Sequence, residues 1–260
     1  MTALTFQLLC EGIAYSASPA MMNAAFEHLG LPHRYVLADV RGDEVETTVA
    51  GLREDDAGGA NVTVPHKAAV AALMDELSDT AREADAVNTV VTEGGRLVGH
   101  NTDLPATIDA IGELCPTGVR RAVLLGAGGA SRAVQIALSQ SGAPSVAVLR
   151  HSDGSIDRLA DEAANADLLI NATPVGTGSD ASPVPAELLR PDLSILDLVY
   201  RPSPTRLVRE ARSVGANAAA GGAILLGQAW RSLELWLGHP APIEVMRAAL
   251  MAELGGAADA

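Results

Sequence analysis

A fully apolar run, Ala122 to Leu125, passes directly into Gly126-Ala127-Gly128-Gly129-Ala130-Ser131, and a helical pattern from Arg132 to Ser141 follows without a break. Val146 to Leu149 then reads as another strand, so roughly thirty residues spell strand, glycine turn, helix and strand in that order. Strands joined through a helix in this way lie parallel, with the helix crossing one face of the sheet. This commits the segment to a layered α/β architecture. A dinucleotide pyrophosphate must approach the backbone closely at a helix N-terminus, where free N–H groups and the helix dipole meet its charge. Gly126 and Gly128 remove the side chains that would block the approach. Ser131 stands where a third glycine is common, so the pattern is G-x-G-x-x-S, a tolerated variant.

Strands at Leu168 to Asn171 and Ile195 to Leu198 extend this sheet, and Pro116-Thr117-Gly118 separates it from a helical stretch over 104–114. Upstream, short β-type runs alternate with helical patterns. Strands are expected at Leu4 to Leu9, Arg34 to Asp39 and Ala60 to Val64, and helices at Pro19 to Leu29, Glu44 to Leu52 and an Ala-rich 67–77. A hairpin-like pair, Ala86 to Thr92 and Arg96 to Gly99, surrounds Gly94-Gly95. Alternation of this kind favours a second α/β layer with a largely parallel sheet. The apolar-faced helices at Gly227 to Leu237 and Ile243 to Leu254 are expected to pack back on that first layer. The chain of 260 residues thus divides into 1–103 with 227–260, and 104–226.

The formal net charge of −14 repels nucleic-acid backbones and anionic lipid surfaces. No apolar run reaches the ~18 residues of a membrane span, and the first basic residue is Arg34, so no charged leader precedes Leu4. Cys10 and Cys115 form no disulfide framework or metal-ligand spacing. The expectation is a soluble cytoplasmic protein, monomeric or homodimeric, without metal, nucleic-acid or membrane partners. Within its basic set, seventeen arginines stand beside one lysine, Lys67. An amine exchanges a proton near neutral pH when its surroundings lower its pKa, and a guanidinium does not.

Lys67 closes Asn61-Val62-Thr63-Val64-Pro65-His66-Lys67, where a strand ends and a helix begins. Asn88-Thr89 and Asn101-Thr102-Asp103 likewise end short strands; such residues are either turn formers or the lining of a polyol pocket. In the second case Lys67 and Asp103 form an amine and carboxylate pair. Ser16-Ala17-Ser18-Pro19 reads either as a helix start, with Ser18 as N-cap and Pro19 as first helical residue, or as two hydroxyls that hold a small carboxylate. Arg150 lies 24 residues beyond Gly126, where an acidic residue would accept the ribose hydroxyls of NAD. An arginine there suits the 2′-phosphate of NADP, while nearby Asp153 leaves NAD open.

Taken in order, Ser16 to Pro19, Asn61 to Lys67, Ala86 to Thr89, Asn101 to Asp103, Gly126 to Ser131, Asn171-Ala172-Thr173-Pro174 and Gly227-Gln228 resemble the shikimate dehydrogenase family over nearly the whole chain. The resemblance implies reversible, NADPH-dependent reduction of 3-dehydroshikimate to shikimate. It implies an N-terminal α/β substrate domain, a Rossmann-like dinucleotide-binding domain, a cleft that closes by a hinge, and C-terminal helices returning to the first domain. Lys67 would donate the proton, with Asp103 positioning it. Ser16, Ser18 and Tyr200 would bind the substrate carboxylate, and Thr63, Asn88 and Gln228 its hydroxyls. The cofactor would lie on Gly126, Ala127, Gly128, Gly129, Ala130 and Ser131, with Arg150 at the adenosine phosphate and the loop holding Asn171 and Thr173 near the nicotinamide.

The chain departs from the family at Tyr15, where histidine is usual, and at Leu149-Arg150-His151, where Asn-Arg-Thr is frequent. The sixteen residues between Arg150 and Asp167 hold one helix and no additional strand, so a βα unit found in many relatives is expected to be missing. Quinate or aminoshikimate dehydrogenases are the alternatives within the same chemistry. A non-catalytic ligand-sensing relative is an alternative from another class, and another two-domain dehydrogenase of similar architecture, such as one acting on a folate, is a third.

Overall fold

A computed structural model describes residues 2–13 and 15–255, and the expected boundaries at residue 1 and over 256–260 lie outside them. The chain up to Asp103 forms one compact unit together with Leu226–Glu253, and Leu104–Leu225 forms another.

The first unit is built on β1 (Thr5–Cys10), β2 (Arg34–Asp39), β3 (Ala57–Val62), β4 (Glu76–Leu77), β5 (Thr89–Glu93) and β6 (Arg96–His100), in the order β2-β1-β3-β5-β6-β4. Side chains alternate between the two faces along β1. Phe6 packs against Phe26 of α1 (Ser18–His28) at 5.0 Å between ring centres and against Trp236 of α9 (Gly222–Leu237) at 4.7 Å. On the other face, Leu9 joins Val45 and Val49 of α2 (Val45–Gly51), Val70 of α3 (Lys67–Ala71) and Ala81 of α4 (Asp79–Ala84) in one buried cluster. The terminal helix α10 (Ile243–Glu253) packs on α1, so the C-terminal residues complete the unit that the N-terminal residues begin.

This sheet is mixed, whereas the alternation of elements pointed to a largely parallel one. β1 runs parallel to β2 and β3, but β5 is antiparallel to both β3 and β6. The cause is local. Gly94 and Gly95 have φ of 57° and 79°, the two left-handed positions of a two-residue hairpin turn, and they return β5 upon itself. The Ala-rich helix also stops at Ala71 instead of 77. Asp75 accepts hydrogen bonds from Leu97 N at 2.7 Å and Arg53 Nη1 at 2.6 Å, and these draw the chain into β4 beside β6. Tertiary bonding overrides alanine propensity here. α4, unanticipated, starts where Ser78 Oγ accepts the Ala81 N–H.

In the second unit β7 (Arg121–Leu125), β8 (Ser145–Leu149), β9 (Leu168–Asn171), β10 (Ser194–Asp197) and β11 (Ala218–Ala220) form an all-parallel sheet in the order β11-β10-β9-β7-β8. α5 (Asp103–Leu114) and α6 (Gly129–Gln140) cover one face through Ile111, Val134 and Leu138. α7 (Leu159–Ala163) and α8 (Arg206–Ser213) cover the other through Leu159, Ala163 and Leu207. The stretch from Arg150 to Asp167 holds a 3-10 turn and α7 but no strand, which leaves β8 at the sheet edge. β11 and α8, like α4, are unanticipated.

Candidate active site

Sheet register decides which side chains of the first unit share an edge. Leu9 pairs with Val62 in parallel strands, so the segments leaving β1 and β3 emerge together. Asn61 pairs with Thr89 and Thr89 with His100 in antiparallel strands, so the residues before β5 and after β6 reach the same edge. That edge therefore carries Ser16 and Ser18, Thr63 to Lys67, Asn88, and Asn101 to Asp103. Pairing places Thr63 and Asn88 directly beside strand ends, with Lys67 and Asp103 a few residues beyond, while Ser16 and Ser18 lie farther along the segment that leaves β1.

Lys67 is held at both ends. Its carbonyl accepts the Val87 N–H at 3.0 Å, and the preceding turn is closed by His66 N on Thr63 O at 2.9 Å. The His66 ring is buried, with Nε2 2.7 Å from Val40 O. Lys67 Nζ donates to Asp103 Oδ2 at 2.6 Å, and the two side chains keep 34% and 22% exposure, enough to meet a ligand. Asp103 opens α5, where the helix dipole favours a carboxylate. The pair offers a proton-carrying ammonium, an acceptor that aims it, and partial exclusion of water.

Ser18 is buried and is the first residue of α1, while Ala17 occupies the cap position without a side-chain cap. The expected serine cap thus falls one residue earlier, and Ser16 Oγ instead accepts the Ser18 N–H at 3.2 Å. Asn88 is buried, with its side chain bonded to Thr102. Thr63 is half-buried, and Gln228 is buried on α9. Asn61, Thr102 and Ser232 form a polar cluster around Asn88 that sequence reasoning missed. Asn61 and Thr102 stand inside the quoted motifs, whereas Ser232 lies in a helix and gave no signal.

In the second unit the C-terminal strand ends present the expected cofactor residues together, since Leu125 pairs with both Leu149 and Asn171. The chain passes from β8 on one side of β7 to β9 on the other, so the glycine turn stands at the switch point of the sheet. A cavity of about 250 Å³ lies there, bounded by Gly126 to Gly128, Leu149 to Ser152, Thr173 and Val175. Gly126 adopts φ of 105°, and a Cβ on it would stand 2.8 Å from the Ala172 carbonyl. At Gly128 and Gly129 a Cβ would meet nothing within 4 Å, so backbone N–H groups at the start of α6 face open space. This is the arrangement a pyrophosphate requires.

Two of the expected cofactor residues act within the loop itself. Ser131 is fully buried and donates to the Gly126 carbonyl at 2.8 Å, latching the turn to its helix. Asn171 is likewise fully buried; its amide donates to Val175 O and Asp197 Oδ1 and accepts from Thr173 N and Thr173 Oγ1. Both shape the cavity from beneath. Asp197, unanticipated, accepts from Asn171, Thr205 and the Val199 N–H, and burial pushes its carboxyl above the usual range. Tyr200 follows it on the same loop and is partly exposed. Arg150 stays exposed beside Asp153, Nη1 to Oδ2 3.8 Å, and its backbone N–H is fixed by Ser155 Oγ at 2.8 Å.

Known proteins share both halves of this arrangement. Residues 8–90 match the shikimate dehydrogenase substrate binding domain, and residues 224–251 match the shikimate 5'-dehydrogenase C-terminal domain. The shikimate dehydrogenase (NADP(+)) of Symbiobacterium thermophilum is 39% identical over 96% of this chain and 94% of its own. The chain belongs to the shikimate dehydrogenase family. The crystal structure of a family member, shikimate 5-dehydrogenase from Thermus thermophilus in complex with NADP(H) and shikimate, superposes with TM-score 0.85 at 37% identity, covering 96% of this chain and 99% of that one. Quinate dehydrogenase from Corynebacterium glutamicum in complex with NAD has TM-score 0.87 at 28% identity, covering 97% of this chain and all of that one. Among the described residues no helix is long and apolar enough to cross a membrane, and no His, Cys, Asp or Glu cluster could hold a metal ion.

Proposed function

We propose that this chain is an NADP-dependent shikimate dehydrogenase, interconverting shikimate and 3-dehydroshikimate. The observation that carries the reading is the Lys67–Asp103 pair, at 2.6 Å, on the sheet edge that also bears Ser16, Ser18, Thr63 and Asn88. Bound NADPH supplies the hydride in the reductive direction. Lys67 delivers a proton from Nζ to the carbonyl oxygen as the alcohol forms, and receives it back in the oxidative direction. Asp103 accepts from Nζ and so fixes the direction in which the remaining N–H bonds point. Ser16 and Ser18 hold the ring carboxylate, and Thr63, Asn88 and Gln228 its hydroxyls. The cofactor lies along Gly126 to Ser131, with Arg150 at the 2′-phosphate, so that Leu104–Leu225 is the nucleotide-binding unit and the remainder the substrate-binding one.

The test is Lys67→Ala assayed at the nicotinamide absorbance band. Turnover should fall about 10²–10⁴-fold, the usual contribution of a positioned proton donor, while NADP+ affinity stays within twofold. Unchanged turnover removes Lys67 from the chemistry. Running shikimate, quinate and aminoshikimate against NADP+ and NAD+ decides among the related dehydrogenase activities. NADP+ with shikimate should give the highest kcat/KM.

A further inference from the structure

Six buried side chains in the first unit, Tyr35, Asn61, Asn88, Thr89, Thr102 and Ser232, bond to one another and leave little unsatisfied. Their hydrogen atoms can be assigned. The Thr102 backbone N–H, which can only donate, lies 2.7 Å from Asn88 Oδ1. The Asn88 amide nitrogen therefore faces the other way, and Nδ2 donates to Thr102 Oγ1 at 2.9 Å. The Thr89 hydroxyl donates to the same Oδ1 at 3.1 Å, which fills its second lone pair. Ser232 Oγ commits its proton to the Gln228 carbonyl at 2.9 Å, so towards Thr102 it is the acceptor, at 3.2 Å, and it holds α9 against the cluster. Asn61 is fixed by the Tyr35 hydroxyl on its Oδ1 and donates to Thr89 and Ser232, closing the cluster.

One hydrogen of Asn88, the second on Nδ2, has no acceptor among the described residues. A buried donor left unbonded is unfavourable, so this atom favours an acceptor on whatever binds. We infer that Asn88 meets its ligand solely as a hydrogen-bond donor, because Thr102 clamps both ends of its amide, and that this makes Asn88 the residue selecting an oxygen substituent over an ammonium on the ring acid. The inference rests on the function proposed above and adds the sense of the hydrogen bond. A hydroxyl or ketone oxygen completes the cluster. An ammonium brings a second donor to the same point, and neither group finds a partner.

The experiment uses the full chain and three variants. For each, kcat/KM is measured with shikimate and with analogues carrying an amino group in place of each ring hydroxyl in turn, together with KM for NADP+. The wild type should reject at least one analogue by tenfold or more. In Asn88→Asp, Oδ1 keeps the Thr102 N–H, Oδ2 takes the Thr102 hydroxyl proton, and the face towards the ligand becomes an acceptor. Its hydroxyl-over-ammonium ratio for the rejected analogue should fall at least tenfold, with KM for NADP+ unchanged. Thr102→Val keeps the backbone N–H that orients the amide and loses only the Oγ1 acceptor, so KM for shikimate should rise several-fold while the ratio holds. Thr102→Ser should restore it. A wild type that accepts every analogue as well as shikimate overturns the inference, as does an Asn88→Asp ratio within twofold of wild type, or a Thr102→Val ratio that moves as far as that of Asn88→Asp. A wild type inactive on shikimate with NADP+ overturns the function itself, which is a separable result.

Discussion

Asp197 is a carboxylate in a place that water does not reach, with 1% of its surface exposed. Three donors face it, from Thr205, Asn171 and the Val199 N–H, yet burial outweighs them and raises its pKa. A raised folded-state value means that the protonated form is the one the fold prefers. The stability it contributes is complete below the unfolded value of about 3.9 and is lost as pH rises through the folded value. Asp197→Asn keeps the Oδ1 acceptor and removes the charge, so the wild-type decline in melting temperature above about pH 4 should flatten in the variant. Neutral-pH stability should be equal or higher by about 1 kcal/mol. Parallel pH profiles in a thermal scan would place the dependence elsewhere. Arg150 gives a second residue-scale expectation. Its guanidinium is exposed beside Asp153, so Arg150→Ala should weaken NADP+ binding by about tenfold, a charge-assisted bond or two, and leave NAD+ nearly untouched in calorimetric titration. The pairing of Lys67 with Asp103 was legible in the sequence because residue type and position both marked it. Asp197 and Ser232 were not, because an acid or a hydroxyl at an apolar position declares its partners only once distant segments have met.

At the scale of elements, the strand–turn–helix from β7 to α6 was readable because its apolar run, glycines and helical period all agree. Within it the glycines divide by what surrounds them, and that division predicts two different failures. Gly126 has φ of 105° with the Ala172 carbonyl 2.8 Å from where a Cβ would stand, so Gly126→Ala should cost about 1–3 kcal/mol of stability and weaken NADP+ binding as well. Gly128 has φ of −78° and open space around it. Gly128→Ala should therefore leave the melting temperature within a degree or two while reducing NADP+ affinity at least tenfold, because the methyl group occupies only the room a pyrophosphate needs. Equal losses of stability in the two variants would contradict this division. Where elements were misread, the causes differ: long-range bonds to the Asp75 carboxylate ended α3 early, while the local Gly94-Gly95 turn, legible as a hairpin, made the first sheet mixed. The three-residue β11 is too brief for periodicity to show, whereas α8, with its Thr205 cap and its buried Leu207, Val208 and Ala211 on one face, carries both a start signal and a helical pattern.

The chain as a whole is not a simple succession of two parts, and its folding should reveal as much. Both core clusters of the second unit draw all their members from within Leu104–Leu225, and its five strands pair only with one another. A fragment of that span contains everything its sheet needs. The other unit differs. Asn61 bonds Ser232, Val90 accepts from the Trp236 indole at 2.9 Å, and α1 packs on α10, so residues 1–103 on their own lack partners contributed from far along the sequence. The apolar faces of the last two helices had suggested this return, but the bonds that enforce it belong to Ser232 and Trp236. Expressed separately, Leu104–Leu225 should unfold cooperatively in urea and bind NADP+ with an affinity within about tenfold of the full chain, the scale of 1.4 kcal/mol. Residues 1–103 should show no cooperative transition until a peptide spanning 226–253 is added. Cooperative folding of 1–103 alone would mean that the C-terminal helices only decorate a sheet already stable, and an unfolded 104–225 fragment would mean that its two hydrophobic clusters need support from outside their own span.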